Sequence, residues 1–264
     1  MPLWAYFASP LILALVMVAI IEAISLGALS LSRRFLLPRL HFNDGVNDAI
    51  SGTVQAIGVF YGITVGLIAV GVWNTHSNAG DLVSKEAASI GGLYRDFGGY
   101  PSPVREELRG KLREYTVFVI DQAWPAQKEG RLLDTGTHLL DDLQSQLFKF
   151  EPSTPGQTAL HSETLRAYNT LIEYRRLRID AVGNGLSTVM WVVIWVGAAI
   201  SIGVAYLYRI EDARIHFMLV ALMAGFLAMV LFMIVINDKP LVGYIGIPPD
   251  PYKLILEKLI DVSR

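Results

Sequence analysis

Apolar residues collect in four runs of about twenty, at positions 11–31, 54–73, 186–206 and 217–236. The last three runs contain no Asp, Glu, Lys or Arg, and the first contains only Glu22. A helix of twenty residues spans the hydrocarbon of a bilayer, so the pattern predicts an integral membrane protein with four transmembrane helices. The opening MPLWAYFASP lacks the basic residues that begin a secretory signal. Its apolar run is also longer than a signal's, so the first span is expected to be retained.

Between the second and third runs the pattern changes to that of amphipathic helices. In SPVREELRGKLREYTVFVIDQAW, the residues Val104, Leu108, Leu112, Tyr115 and Val119 fall on one helical stripe. Ser102 offers an N-cap and Pro103 suits a first turn. HLLDDLQSQLFKF repeats the stripe through Leu139 or Leu140, Leu143, Leu147 and Phe150. After the break EPSTPGQ, a third stripe (Leu165, Tyr168, Leu171 or Ile172, Ile179) leads toward the third span, with GNG at 183–185 as one possible kink. Residues 79–97 read as a continuation of the second span. The expected fold is therefore all-α. A first transmembrane hairpin covers 1–75, a helical soluble domain 76–185, a second hairpin 186–236, and an amphipathic tail 237–264. The tail helix carries Ile255, Leu259 and Val262, placed either on the membrane surface or on the middle domain. Single amphipathic helices are marginal in water, so these stripes must pack on one another or on a second subunit.

Composition narrows the chemistry. The 264 residues include no cysteine, which excludes disulfides and thiolate catalysis, and a formal net charge of −2 gives nucleic acid no purchase. Five histidines are scattered without HxxxH or HExxH pairing, so no metal site is expected. No Walker A, GxGxxG or GxSxG pattern occurs, and Asp141 and Asp142 diverge by about 100° as helix neighbours. Neither an enzyme nor a cofactor is indicated. The short loops carry five Lys or Arg, and the opposite side carries six near the membrane, so charge does not set orientation.

Three stretches resemble the bacterial bestrophin-like membrane proteins: VGVWNTHSNAGDLVSKEAASIGGLYRDF, EYRRLRIDAVGNGLSTVMW and NDKPLVGYIGIP. The resemblance covers nearly the whole chain. Bestrophins are pentameric ion channels with four transmembrane helices, cytoplasmic termini and a helical cytoplasmic domain, their pore lined by the second helix of each subunit. The resemblance thus implies a homo-oligomer, a pentamer as first guess, in the bacterial inner membrane, with termini and middle domain cytoplasmic and inorganic ions as substrate. The aromatic and aliphatic residues that constrict a bestrophin pore have no counterpart here.

Several residues stand out on that background. Gly58, Gly62 and Gly66 lie on one face of the second span with about 40° of drift per step. Such a ridge serves close helix packing, a narrow pore wall, or both around a symmetry axis. Glu22 lies near the bilayer centre, where an ionised carboxylate costs about 2.5 kcal/mol or more. It reads as an ion- or proton-handling group, or as an acid hydrogen-bonded in a helix contact, with Ser25 on the same face. Ionised in a pore, it would repel anions. Asn74 and His76, at the polar exit of the second span, suit a hydrated mouth or an interfacial cap. Arg175, Arg176 and Arg178 suit lipid headgroups, salt bridges or an electropositive vestibule. Asp238 and Lys239, followed by the helix-stopping Pro240, read as a structural latch. A non-conducting scaffold that recruits a partner through its soluble helices is the alternative function.

Overall fold

Helix α1 (Pro10–Leu31) opens on a proline, whose missing N–H is no loss in a first turn, and is apolar on every side. It runs through a π turn (Ser32–Leu36) into a 3-10 turn (Leu37–Arg39) around Pro38. Helix α2 (Val46–Asp96) is unbroken for 51 residues, about 75 Å at the α-helical rise, and contains no proline. Next come α3 (Val104–Phe118), a π turn (Val119–Ala123), α4 (Trp124–Lys128), α5 (Thr135–Phe148) and α6 (Pro155–Gly183). The chain continues through α7 (Thr188–Ala205), α8 (Ala213–Asn237) and α9 (Asp250–Ile255), which ends in a π turn (Leu256–Ile260). This computed structural model describes residue 6 and residues 9–40 and 45–261; Val262 of the expected tail stripe lies outside them. Among the described residues, four helices are long and apolar enough to cross a membrane: α1, α2, α7 and α8.

The contacts divide the chain into two units, Met1–Thr75 with Gly185–Asp238, and His76–Asn184 with Lys239–Arg264. In the first unit, Leu13 and Met17 of α1, Tyr61, Val65, Ala69 and Val72 of α2, Ile194 and Ala198 of α7, and Leu231, Ile234 and Val235 of α8 form one core cluster. A second cluster joins Leu29, Ile202, Ala205, Val220 and Ala224. Small residues let backbones approach where lipid supplies no hydrophobic drive. Two glycines show this directly. A Cβ on Gly197 would collide with the Tyr61 ring, and one on Gly225 would lie 2.9 Å from Glu22 Oε1.

In the second unit the stripes of α3 and α5 are buried as their spacing predicts, through Leu108, Leu112, Tyr115 and Val119, and through Leu140, Leu143 and Leu147. The tail packs on α2 within this unit. A Cβ on Gly91 would lie 3.1 Å from Ile255 and 3.6 Å from Leu259.

Local details depart from expectation in three places. The third stripe does not run on into the third span: α6 stops at Gly183 and α7 starts at Thr188, where Ser187 caps by accepting from the Met190 N–H. Ser102 does not cap α3, because the helix begins at Val104 and the N-cap position is Pro103, which has no side-chain acceptor. On α6 the buried stripe passes through Tyr168 and Leu171 to Arg178, while Ile179 is only half-buried.

Candidate functional site

Helix α2 presents three distinct faces over its first unit. Tyr61, Val65, Ala69 and Val72, at 4-4-3 spacing, are buried against the neighbouring helices, and Tyr61 Oη donates to the Ile194 carbonyl at 2.9 Å. Phe60, Ile63, Leu67 and Val70, at 3-4-3 spacing, are large, apolar and exposed, which suits lipid. Gly58, Gly62 and Gly66 form the third face. A Cβ at any of them would meet nothing within 4 Å, whereas Gly197 and Gly225 are filled by neighbours. The ridge is therefore not a packing surface among the described residues. Gln55 shares this exposed face, seven residues ahead of Gly62. It is a polar side chain in the second span that sequence reasoning passed over, although a seven-residue step along the glycine register would have found it.

Glu22 is half-buried in the contact between α1 and α8, its carboxylate against Gly225. Among the described residues no donor reaches it; Ser25 is buried nearby on α1 without bonding to it. Asn74 is exposed. His76 is half-buried, and its Nδ1 has no hydrogen-bond partner among the described residues.

The second unit holds a buried charge pair. On α2 and the 3-10 turn that follows it (Phe97–Gly99), the inward positions are Ala79, Val83, Glu86, Ile90, Leu93 and Phe97, so Glu86 occupies a core position of a 4-3-4-3-4 stripe. On α6, Arg178 falls seven residues after the buried Leu171 and so on the same face. Both side chains are almost wholly enclosed, at 0% and 1% exposure, which decides that their charges must satisfy each other. Arg178 Nε donates to Glu86 Oε2 at 2.5 Å, and Nη2 donates to Oε1 at 3.2 Å. Tyr115 Oη donates to Oε1 at 2.8 Å, and Arg178 Nη1 donates to Gln127 Oε1 at 2.6 Å. The guanidinium lies 5.4 Å from the Trp124 ring and 6.0 Å from that of Tyr252. Trp124 in turn donates to the Ile247 carbonyl at 3.0 Å, tying the segment after α8 to the same cluster.

Electrostatics follow from this enclosure. Burial works against the Arg178 charge, yet the Glu86 carboxylate outweighs it and holds the guanidinium pKa above its ordinary value. Burial first and Glu86 second push the Tyr115 and Tyr252 hydroxyls well above the usual tyrosine range. Tyr252 faces the carboxylate without a hydrogen bond of its own among the described residues.

Arg175, Arg176 and Arg178, close together near the end of α6, thus have three different fates. Arg178 does not face headgroups or a vestibule, because its helical phase puts it inside. Arg175 is half-buried and donates to Thr137 Oγ1 at 3.0 Å, and Arg176 alone is exposed. Near the end of α8, Asp238 is buried and accepts from Tyr6 Oη at 2.9 Å and from the Leu186 N–H at 2.6 Å. Lys239 and Pro240 start the second unit's last segment. Their carbonyls accept from the N–H groups of Val242 and Ile247 at 3.3 and 2.8 Å.

The profile of the Bestrophin-like domain matches residues 19–252, well over half of the chain. The chain belongs to the bestrophin-like family. The bestrophin-like region begins in α1 just ahead of Glu22 and takes in the glycine ridge, Glu86, Trp124, Arg178 and Asp238. It closes on Tyr252, the aromatic ring against Arg178, and leaves Tyr6 and the π turn after α9 outside. No curated protein and no solved structure matches the chain.

Proposed function

We propose that this bestrophin-like protein is one subunit of a homo-oligomeric ion channel, with the glycine face of α2 lining the pore. The helices between the second and third spans form its extramembrane domain, on the cytoplasmic side of the bacterial inner membrane together with both termini. A pentamer is the assembly that the family likeness suggests. The observation that carries this reading is the bare ridge of Gly58, Gly62 and Gly66. One face of α2 is buried within the chain, a second is large and apolar, and the third carries the three glycines, with Gln55 ahead of them and the exposed Trp73, seven residues after Gly66, behind them. Small residues are the side of a membrane helix that tolerates close neighbours or a narrow water-filled path. Glu22 favours cations or protons over anions as the permeating species, since an ionised carboxylate repels anions. Asn74 and His76 furnish polar groups for the mouth.

Purified protein in planar bilayers should carry a current that Gly62→Leu blocks and Gly62→Ala reduces. Native mass spectrometry of the same preparation should give a closed homo-oligomer. Absence of current across pH, calcium, voltage and tension, in a protein that does assemble, would replace the channel with a scaffold. A monomer in lipid would remove both.

A further inference from the structure

Helix α3 carries Arg105, Arg109 and Arg113 at four-residue steps, which sets three guanidinium groups on one face at a rise of about 6 Å each. They line a pocket of about 420 Å³ together with Tyr94, Glu106 and Ile260. The middle rung is built in. Its guanidinium lies 4.5 Å from the centre of the Tyr94 ring, and Arg109 Nε donates to the Tyr94 carbonyl at 3.4 Å. Gly98 leaves the space it needs, because a Cβ there would fall 2.8 Å from Arg109 Nη2. The Tyr94 hydroxyl donates to the Ile260 carbonyl at 3.3 Å, so α2, α3 and the C-terminal turn together frame the pocket.

The outer rungs already hold carboxylates. Arg105 donates through Nε and Nη2 to Glu106 Oε1 at 3.1 and 2.8 Å, and Arg113 Nε donates to Asp261 Oδ1 at 2.9 Å. Arg109, between them, has no carboxylate partner among the described residues. We propose that this ladder is a binding site for a phosphomonoester or a diphosphate, the diphosphate being the smallest group that bridges two rungs. Both carboxylate partners are substantially exposed, and exposed pairs of that kind are weak and readily exchanged. A phosphate offers several oxygens to planar guanidinium forks, whereas a single carboxylate repeats what Glu106 and Asp261 already supply. The incoming anion takes the place of the Asp261 carboxylate on Arg113, so occupancy is coupled to the C-terminal turn. Nothing in this site depends on whether the protein conducts ions.

The test is calorimetric titration of the full-length protein, in phosphatidylcholine nanodiscs at low salt and without magnesium, with inorganic pyrophosphate. A single saturable binding event is expected, weakened roughly tenfold or more by Arg109→Gln. Asp261→Asn, which removes the internal competitor, should tighten it about threefold. Thermal melts verify that each variant is folded, and Arg105→Gln serves in place of Arg109→Gln if the latter unfolds. Nanodiscs containing phosphatidic acid form the second arm. Binding of a fluorescent phosphatidic acid that these arginines control, with no response to pyrophosphate, would identify the phosphate as a lipid headgroup. The proposal is overturned if neither probe shows binding that depends on the arginines, or if Asp261→Asn weakens binding.

Discussion

Glu22 of α1 and Glu86 of α2 are both carboxylates set among packed apolar helices, one in each unit. Glu86 is completely enclosed and accepts three hydrogen bonds, two from Arg178 and one from Tyr115. Three of a carboxylate's roughly four acceptor positions are filled by protein donors, and the group is closed to solvent. Glu22 is only half-buried, rests against the backbone of Gly225, and receives no donor among the described residues. An acid that handles ions needs unfilled coordination, and an acid that holds helices together needs none. By that criterion Glu86 is structural, and Glu22 is the acid that the channel proposed above would use.

The largest expected effect lies on the structural side. Arg178→Met should destabilise the protein by about 3–5 kcal/mol, read as the midpoint of thermal unfolding in detergent, because it strands Glu86 without its counter-charge. The double variant Glu86→Leu with Arg178→Met should recover most of that loss; failure to recover would show that the pair contributes more than mutual neutralisation. Next in size, Gly197→Ala should cost about 1–3 kcal/mol by pushing the Tyr61 ring out of place. Gly62→Ala should change stability by no more than about 0.5 kcal/mol while altering current, since its site is empty within the chain. Equal costs at the two glycines would contradict the bare ridge.

Smaller than the Gly197→Ala cost is that of Tyr115→Phe, which removes one donor from Glu86 and should amount to about 1 kcal/mol. The sign of the pH dependence follows from the raised pKa of both tyrosines. An unfolded tyrosine ionises near pH ~10, while Tyr115 and Tyr252 stay protonated in the folded protein. Unfolding above that pH therefore releases protons, and stability, fully present below it, falls as pH climbs. Tyr115→Phe should flatten this alkaline loss. As small as that of Gly62→Ala is the stability effect of Glu22→Gln, within about 0.5 kcal/mol, together with a clear change in ion selectivity or pH response of the current. A stability loss as large as that of Arg178→Met would make Glu22 a second structural acid.

Much of the fold was legible in the chain. Four apolar runs marked the spans, and the stripes of α3 and α5 marked helices whose inward residues proved to be Leu108, Leu112, Leu143 and Leu147. The break at residues 184–187 was less legible, since apolar spacing continues across it and only GNG hinted at the interruption. The charge pair was half-written: Glu86 sits in phase with Val83 and Ile90, and Arg178 in phase with Leu171. Local spacing can expose a charged residue on a buried stripe, but it cannot name a partner 92 positions away. Arg175, Arg176 and Arg178 looked alike as a group, and only their angle around α6 separated them.

Hydrophobic length and helical period act between near neighbours, so the amino-acid order alone determined a helical chain of bestrophin-like type with four helices long and apolar enough to cross a membrane. Which glycines are filled and which are bare was a matter for the tertiary structure. Gly197, Gly225 and Gly62 are the same residue in similar apolar surroundings, and they differ only in whether another helix delivers a side chain to them. The same holds for Glu22 and Glu86, because a carboxylate's role is set by the donors that packing brings within reach, and packing joins residues that the chain keeps far apart.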